Sequence, residues 1–480
     1  MKDLQKKTAF GFVYSVLERA GAQGINFVIS LLLARILSPD EYGTIALVTV
    51  LITICDVFVT YGFGNSLVAQ KDADSVSFST CFYFGLLLSA VLYGVIFLLA
   101  PAVAAYYDKE ILVPVLRVMG LRIPIAAINS VQQAHVAKTM AFKKLLYATM
   151  VGTAISGVVA VIMAFAGFGV WSMVVQYLGT VLISTVTLWF LAKWRPILAF
   201  SWQKLKRIYQ YGWKILVVGL IDTGYTELRS LVIAKRYTSA DLAYYSKGNN
   251  FPALGMKLVE PAISNVLFAS LSHCNDDKEE MKLITRRFTR LSTYLIFPIL
   301  FGLAAVAKPL IAVLLTEKWL PSVIYLQLGC LGYLFRPLRF VSNSVIKASG
   351  RSDLLLKLDI VKKAVGIALL LASVRYGVVA IAVSLVLANA FAMIVNIIPV
   401  KKILDYSVWE QFKDILGNLA LSLVMALATY ALGWMQISMF PLLILQIFCG
   451  VVLYVAISAV TKNRSFMTIL RAIKSKKKDR

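Results

Sequence analysis

The residues of this chain best suited to chemistry are charged side chains set deep in apolar sequence. Eight basic residues, Arg19, Arg117, Arg122, Arg229, Lys247, Lys257, Arg336 and Arg339, lie inside long apolar runs. Five acids, Glu18, Asp56, Asp222, Glu227 and Glu260, lie at comparable depth. A charge at the centre of a bilayer costs about 2.5–3.5 kcal/mol on insertion scales, so these groups must face one another or a wet cavity. Arginine suits a phosphate, because its planar fork donates two parallel hydrogen bonds and stays charged when desolvated. The chemistry on offer is therefore recognition of an anionic headgroup, with Arg19, Lys257, Arg229, Arg122 and Arg336 as the candidate contacts. A second reading is internal ion pairing: Glu18 or Asp56 with Arg19, Asp222 with Arg229, and Lys257 with Glu260. A third gives the acids Glu18, Asp56, Asp222, Glu227 and Glu260 to a cation-coupling role or to the cavity wall. Lys247, near a helix end, can snorkel to the interface.

Nothing in the sequence points to bond-making chemistry. The histidines are His135 and His273, and the five cysteines, at 55, 81, 274, 330 and 449, show no metal-ligand spacing. There is no nucleotide-binding loop and no catalytic pairing, so neither metal nor cofactor is expected.

The elements that must position these charges follow from composition. The chain has 480 residues, 59% hydrophobic and 15% charged, with a mean hydropathy of +0.78. That is too little charge to cover the exteriors of soluble domains of this size. A membrane span needs about 20 apolar residues, and about fourteen stretches qualify: near 9–35, 43–69, 78–104, 112–137, 145–166, 170–192, 209–234, 243–270, 290–315, 322–346, 355–374, 377–399, 412–434 and 437–460. The fold class expected is an all-α polytopic integral membrane protein.

The net charge of +25 is explained by location. Of 49 basic residues, 34 fall on the side that carries both termini and 7 on the other. The positive-inside rule then puts both termini in the cytoplasm, and nucleic acid is not the partner. Two segments on that side read as amphipathic helices on anionic headgroups, or as plain topology anchors. One is 197–207; the other is the tail, where Phe466, Ile469, Leu470 and Ile473 alternate with basic residues.

Internal similarity organises the spans. Ser38-Pro39-Asp40-Glu41-Tyr42-Gly43 pairs with Ser239-Ala240-Asp241-Leu242-Ala243-Tyr244 at an offset of 201. Pro101 and Pro114 pair with Pro309 and Pro321, Arg122 and Pro124 with Arg336 and Pro337, and Gly167-Phe168-Gly169-Val170 with Arg375-Tyr376-Gly377-Val378. Two six-helix lobes are expected, 1–200 and 201–405, related by an axis along the membrane normal. Extra helices occupy 406–462 and a basic tail 463–480. Polar stripes at helical spacing (Ser15, Glu18/Arg19, Ala22, Asn26, Ser30; Thr49, Thr53, Asp56, Thr60; Asp222, Thr226, Arg229/Ser230; Asn250, Lys257, Glu260, Ser264) place spans one, two, seven and eight around a central cavity. At the 201 offset Asp56 and Lys257 are equivalent.

The stretch Leu33-Ala34-Arg35-Ile36-Leu37-Ser38-Pro39-Asp40-Glu41-Tyr42-Gly43 resembles the bacterial polysaccharide (O-antigen and exopolysaccharide) flippases of the multidrug/oligosaccharidyl-lipid/polysaccharide exporter superfamily. Gly167-Phe168-Gly169-Val170-Trp171-Ser172, Lys318-Trp319 and Lys347-Ala348-Ser349-Gly350-Arg351 resemble further segments of that family, so the likeness covers nearly the whole chain. It implies a two-lobe, V-shaped transporter that flips undecaprenyl-diphosphate-linked oligosaccharide units across the cytoplasmic membrane. It also implies a cationic cavity for the diphosphate. Arg19 matches a position where the related lipid II flippases carry arginine, and Lys257 would stand in for another. The acid Asp56 departs from that pattern and disfavours lipid II as the substrate.

The expected function is a lipid-linked oligosaccharide flippase for O-antigen, capsule or exopolysaccharide synthesis. Its location would be the bacterial inner membrane, and its partners the substrate, anionic lipids, and a polysaccharide polymerase and glycosyltransferases. A drug/cation antiporter of the same superfamily is the alternative, although a cation exporter calls for an acidic cavity. A membrane glycosyltransferase would need paired carboxylates in a sizeable outer loop, which the sequence lacks.

Overall fold

In the computed structural model, residues 21–60, 67–68, 73–274, 277–468 and 470 are described. Among them the chain is helical, with no strand. The first helices are α1 (Gly21–Ile36), α2 (Pro39–Val59), α3 (Ser75–Tyr106), α4 (Leu112–Gly120), α5 (Arg122–Lys138), α6 (Phe142–Phe165) and α7 (Val170–Ala192). Next come α8 (Trp202–Arg236), α9 (Ser239–His273), α10 (Lys278–Ala305), α11 (Ala307–Leu315), α12 (Val323–Tyr333) and α13 (Arg336–Ala348). The last are α14 (Ser352–Ser373), α15 (Val378–Leu404), α16 (Val408–Ala431) and α17 (Met439–Val460). Among the described residues, 10 helices are long and apolar enough to cross a membrane. Helix α8 falls short because Lys204, Lys206, Arg207, Lys214, Asp222, Glu227 and Arg229 dilute its apolar content.

Local sequence explains where the helices start. Ser38 and Glu41 form a capping box at α2: the Ser38 amide and hydroxyl donate to Glu41 Oε2 at 2.7 and 2.8 Å, and the Glu41 amide donates back to Ser38 Oγ. Thr238 and Asp241 make the same exchange at α9, with the Thr238 hydroxyl 2.7 Å from Asp241 Oδ2. The matched caps are Ser38 and Thr238, an offset of 200 residues. The caps thus lie one residue off the expected offset of 201. Gly169 and Gly377 hold φ of 53° and 98° immediately before α7 and α15, a conformation that a side chain strains.

Contacts divide the chain into two compact units, Met1–Ala243 and Tyr244–Arg480. In the first, α6 and α7 form a hairpin built on small residues. Ser156 Oγ lies 2.7 Å from Thr180 Oγ1, and the Ser184 hydroxyl donates to the Ala148 carbonyl at 3.1 Å. A Cβ on Gly152 would come within 2.8 Å of the Thr180 carbonyl oxygen. Small residues of this kind allow the close backbone approach on which helix association in lipid depends. Helix α5 packs against α3 and α7, and α8 packs against α2. In the second unit α10 pairs with α16, and α15 packs against α12, α13 and α14.

The linker after α7 is not helical from 193 to 201, and it bends at Leu198. Its Ile197 amide donates to Ser79 Oγ at 2.9 Å and its Ser201 amide to Thr80 Oγ1 at 3.1 Å. Lys204 pairs with Asp74 at 2.6 Å. Phe200 and Trp202 are exposed, and Leu198 is 98% exposed, so the apolar side of an interfacial segment survives on a bonded backbone. In the tail, Phe466 packs against the cluster of Tyr294, Leu421, Met425 and Tyr454, facing protein.

Candidate functional site

In the first unit the break between α4 and α5 builds the site. Helix α4 ends at Gly120 and α5 starts at Arg122, with Pro124 in its first turn, where a missing N–H leaves no bond unmade. Arg122 Nε meets Asp56 Oδ2, on α2, at 3.0 Å. The other carboxylate oxygen, Asp56 Oδ1, is buried with no hydrogen-bond partner, as is Thr49 Oγ1 two turns earlier on the same helix. Arg117 is occupied elsewhere: its guanidinium lies 4.2 Å from the Phe97 ring centre.

Helix α8 contributes Arg229, which is 3% exposed. Its Nε and Nη2 have no hydrogen-bond partner, and its guanidinium carbon lies 5.5 Å from the ring centre of Tyr225, one turn earlier. The expected stripe Asp222–Thr226–Arg229 is split by packing, since Asp222 and Thr226 are exposed and Arg229 is buried. A buried guanidinium with vacant donors is what an anion-binding group presents before its ligand arrives.

The second unit repeats the arrangement. Helix α12 ends at Tyr333 and α13 starts at Arg336, whose Nη1 meets Glu260 Oε2, on α9, at 3.0 Å. The Arg336 guanidinium also lies over Tyr333 at 4.7 Å. In each unit an acid on the helix that follows the cap exchange takes an arginine that opens a helix after a break. Asp56 thus pairs with Arg122, and Glu260 pairs with Arg336 rather than with Lys257. Lys257 itself is exposed and makes no ion pair among the described residues. Lys247 does not snorkel: it is 7% exposed, with its ammonium 5.8 Å from the Trp319 ring centre. Glu18 and Arg19 lie outside the described residues, and Glu227 is half-buried.

A polar network around Arg339 escaped sequence reasoning. Arg339 donates to Asn389 Oδ1 at 3.3 Å, and Lys362 donates to Asn396 Oδ1 at 3.1 Å. Asn396 in turn donates to Asn343 Oδ1 at 3.0 Å. Asn389 and Asn396, one heptad apart in an otherwise apolar span, were the available signal. Also unforeseen was Asp414, which accepts from Arg286 Nε at 2.8 Å, Arg290 Nε at 3.0 Å and the Tyr406 hydroxyl at 2.6 Å. The four-residue spacing of Arg286 and Arg290 on one helix face could have pointed to it. His135 is a packing residue, edge-on to Phe78 at 5.5 Å and stacked on Trp194 at 6.0 Å.

Comparison with known proteins bears on this geometry. A family model described as "Polysaccharide biosynthesis protein" matches residues 32–324. The succinoglycan biosynthesis transport protein ExoT of Rhizobium meliloti is 26% identical over 306 residues, a match covering 64% of this chain and 62% of that protein. The chain thus spans less than two thirds of the length of ExoT. The lipopolysaccharide biosynthesis protein WzxC of Escherichia coli is 23% identical over 438 residues, covering 90% of this chain and 88% of the relative. Among solved structures, the lipid II flippase MurJ in an inward closed conformation superposes with a TM-score of 0.77 at 14% identity, covering 94% of this chain and 98% of that one. An inward-facing multidrug resistance MATE transporter gives 0.64 at 16% identity, covering 80% and 94%. These likenesses show the fold.

Proposed function

The chain belongs to the polysaccharide biosynthesis protein family, and we propose on that footing that it moves lipid-linked oligosaccharide units across the bacterial cytoplasmic membrane. The substrate class is a polyprenyl-diphosphate-linked glycan destined for O-antigen, capsule or exopolysaccharide. The observation that carries the reading is Arg229, a buried guanidinium with vacant donors in a chain whose relatives are named for succinoglycan transport and lipopolysaccharide synthesis. A desolvated arginine gains far more from a phosphate oxygen than one in water, because the interaction is screened less.

Two similar lobes, 1–200 and 201–405, would rock about the cavity in alternating access, with both termini in the cytoplasm. Arg19 and Lys257 would guide the diphosphate, Arg229 would hold it, and the Asp56–Arg122 and Glu260–Arg336 pairs would set the position of the broken helices. Asp56, with one bare oxygen, is the acid best placed to take a proton or cation in coupling. Asp222 and Glu227 would line the cavity. Catalysis has no part in this role, and a polymerase and glycosyltransferases would supply and consume the glycan.

The test is the leaflet in which the lipid-linked glycan accumulates. In a deletion strain it should stay inaccessible to an outside probe, and wild-type protein should restore access where Arg229→Ala does not. Normal outward appearance without the protein would overturn the reading. The drug/cation antiporter alternative is favoured by the MATE-like fold but opposed by the buried cations Arg229 and Lys247.

A further inference from the structure

Helix α10 and the start of the tail enclose a cleft of ≈ 290 Å³ beside the Asp414 cluster. Its walls carry Arg286, Arg287, Arg290 and Arg464, with Ser465 and Thr468 beside them. Asp414 binds Arg286 and Arg290 and its side chain is buried, and Glu410 lies close enough to Arg286 to act on its charge. Arg287 and Arg464 are exposed and make no ion pair among the described residues. Four guanidiniums against Asp414 and the neighbouring Glu410 leave the cleft cationic.

The cleft is fastened in place. The Asn463 amide nitrogen donates to Asn418 Oδ1 at 3.0 Å, and its oxygen caps the tail turn by accepting from the Ser465 amide at 2.9 Å. Asn418 in turn donates to the Arg290 carbonyl at 2.8 Å and to Thr293 Oγ1 at 2.9 Å. Phe466 anchors the same turn in the apolar cluster beneath. Arg464 is thus held against α10 by a bonded chain of side chains.

An apolar track leads out of the cleft along α10. Leu283 and Leu291 line it, one turn to either side of Arg287. Leu295 and Ile299, one and two turns further along the same face, are exposed. A phosphate in the cleft would have room for acyl chains along this stripe, as a free anion would not need.

We propose that this cleft binds the phosphate diester of an anionic glycerophospholipid, with its acyl chains on the Leu291–Leu295–Ile299 face. Arginine forks take the phosphate oxygens, and the charge asymmetry of the sequence assigns the site to the cytoplasmic leaflet. This site is separate from the transported substrate and is tested without measuring transport.

The experiment compares thermal stabilisation of the purified full-length chain in neutral detergent by added phosphatidylglycerol, phosphatidylcholine and inorganic phosphate. The variant Arg287→Gln/Arg464→Gln removes the two unpaired arginines and leaves the Asp414 cluster intact. Phosphatidylglycerol should stabilise the wild type, with half-effect at least about tenfold lower in concentration than for the variant, the loss expected from one charge-assisted hydrogen bond. Phosphatidylcholine and inorganic phosphate should do little. Equal response of wild type and variant to phosphatidylglycerol overturns the site. Equal stabilisation by phosphatidylcholine overturns the anionic requirement, and equal stabilisation by inorganic phosphate shows a free-anion site and overturns the lipid.

Discussion

Asp56 and Arg122 form an ion pair 3.0 Å long that uses one carboxylate oxygen and leaves the other buried and bare. The pair joins the last turn of α2 to the residue that opens α5, so it ties a helix break to a largely buried acid. Its counterpart, Glu260 with Arg336, does the same at the break between α12 and α13.

Removing one partner of the first pair should cost more than removing both. Arg122→Gln strands a buried carboxylate and should destabilise the protein by about 3–5 kcal/mol, whereas Asp56→Asn/Arg122→Gln should recover much of that. Melting temperatures of the three variants in one detergent check this, and strictly additive losses would contradict it.

Arg229→Met should separate stability from function. The change removes vacant buried donors and keeps an apolar stem of similar reach, so the melting temperature should hold or rise. Glycan export in a complementation assay should fall to the level of the deletion strain. Retained export would show that Arg229 does not touch the substrate.

Gly43 should tolerate no side chain. A Cβ there would lie 1.7 Å from the backbone oxygen of Ser239, where the starts of α2 and α9 cross and neither backbone can yield cheaply. Gly43→Ala should sharply lower the yield of folded, monodisperse protein. Gly24→Ala, with nothing within 4 Å of the added atom, should be neutral or stabilising by up to about 1 kcal/mol.

The linker clamp should respond to acid. The Lys204 ammonium, with the Ser77 hydroxyl and amide, holds the Asp74 carboxyl well below the usual carboxylate range. A lowered folded value means that the stabilisation is complete above the unfolded value of about 3.9 and is lost as pH falls through the lowered one. The pair is solvent-exposed, so its worth is about 1 kcal/mol or less. The melting-temperature gap between wild type and Asp74→Asn should stay constant from pH 8 to about 5 and close below about 4. A gap unchanged at pH 3 would remove Asp74 from the clamp.

The sequence by itself determined the class of molecule and the inventory of buried charge. Hydropathy points to an all-α membrane protein, because apolar runs of about 20 residues suit spanning helices, whereas barrel strands alternate over about ten. Caps such as Ser38–Glu41 and turns such as Gly169 were legible because their bonds are local, spanning three or four residues. Partners were not legible. Arg122 meets Asp56 across 66 residues, and Arg336 meets Glu260 across 76, so only packed helices select those pairs over the nearer ones that periodicity suggests. A residue match at 201 and a cap match at 200 likewise look alike in sequence but differ by about 100° around a helix. Tertiary packing likewise decided that Arg229 is buried with vacant donors while Asp222 on the same stripe is exposed, since the face a helix covers depends on its neighbours.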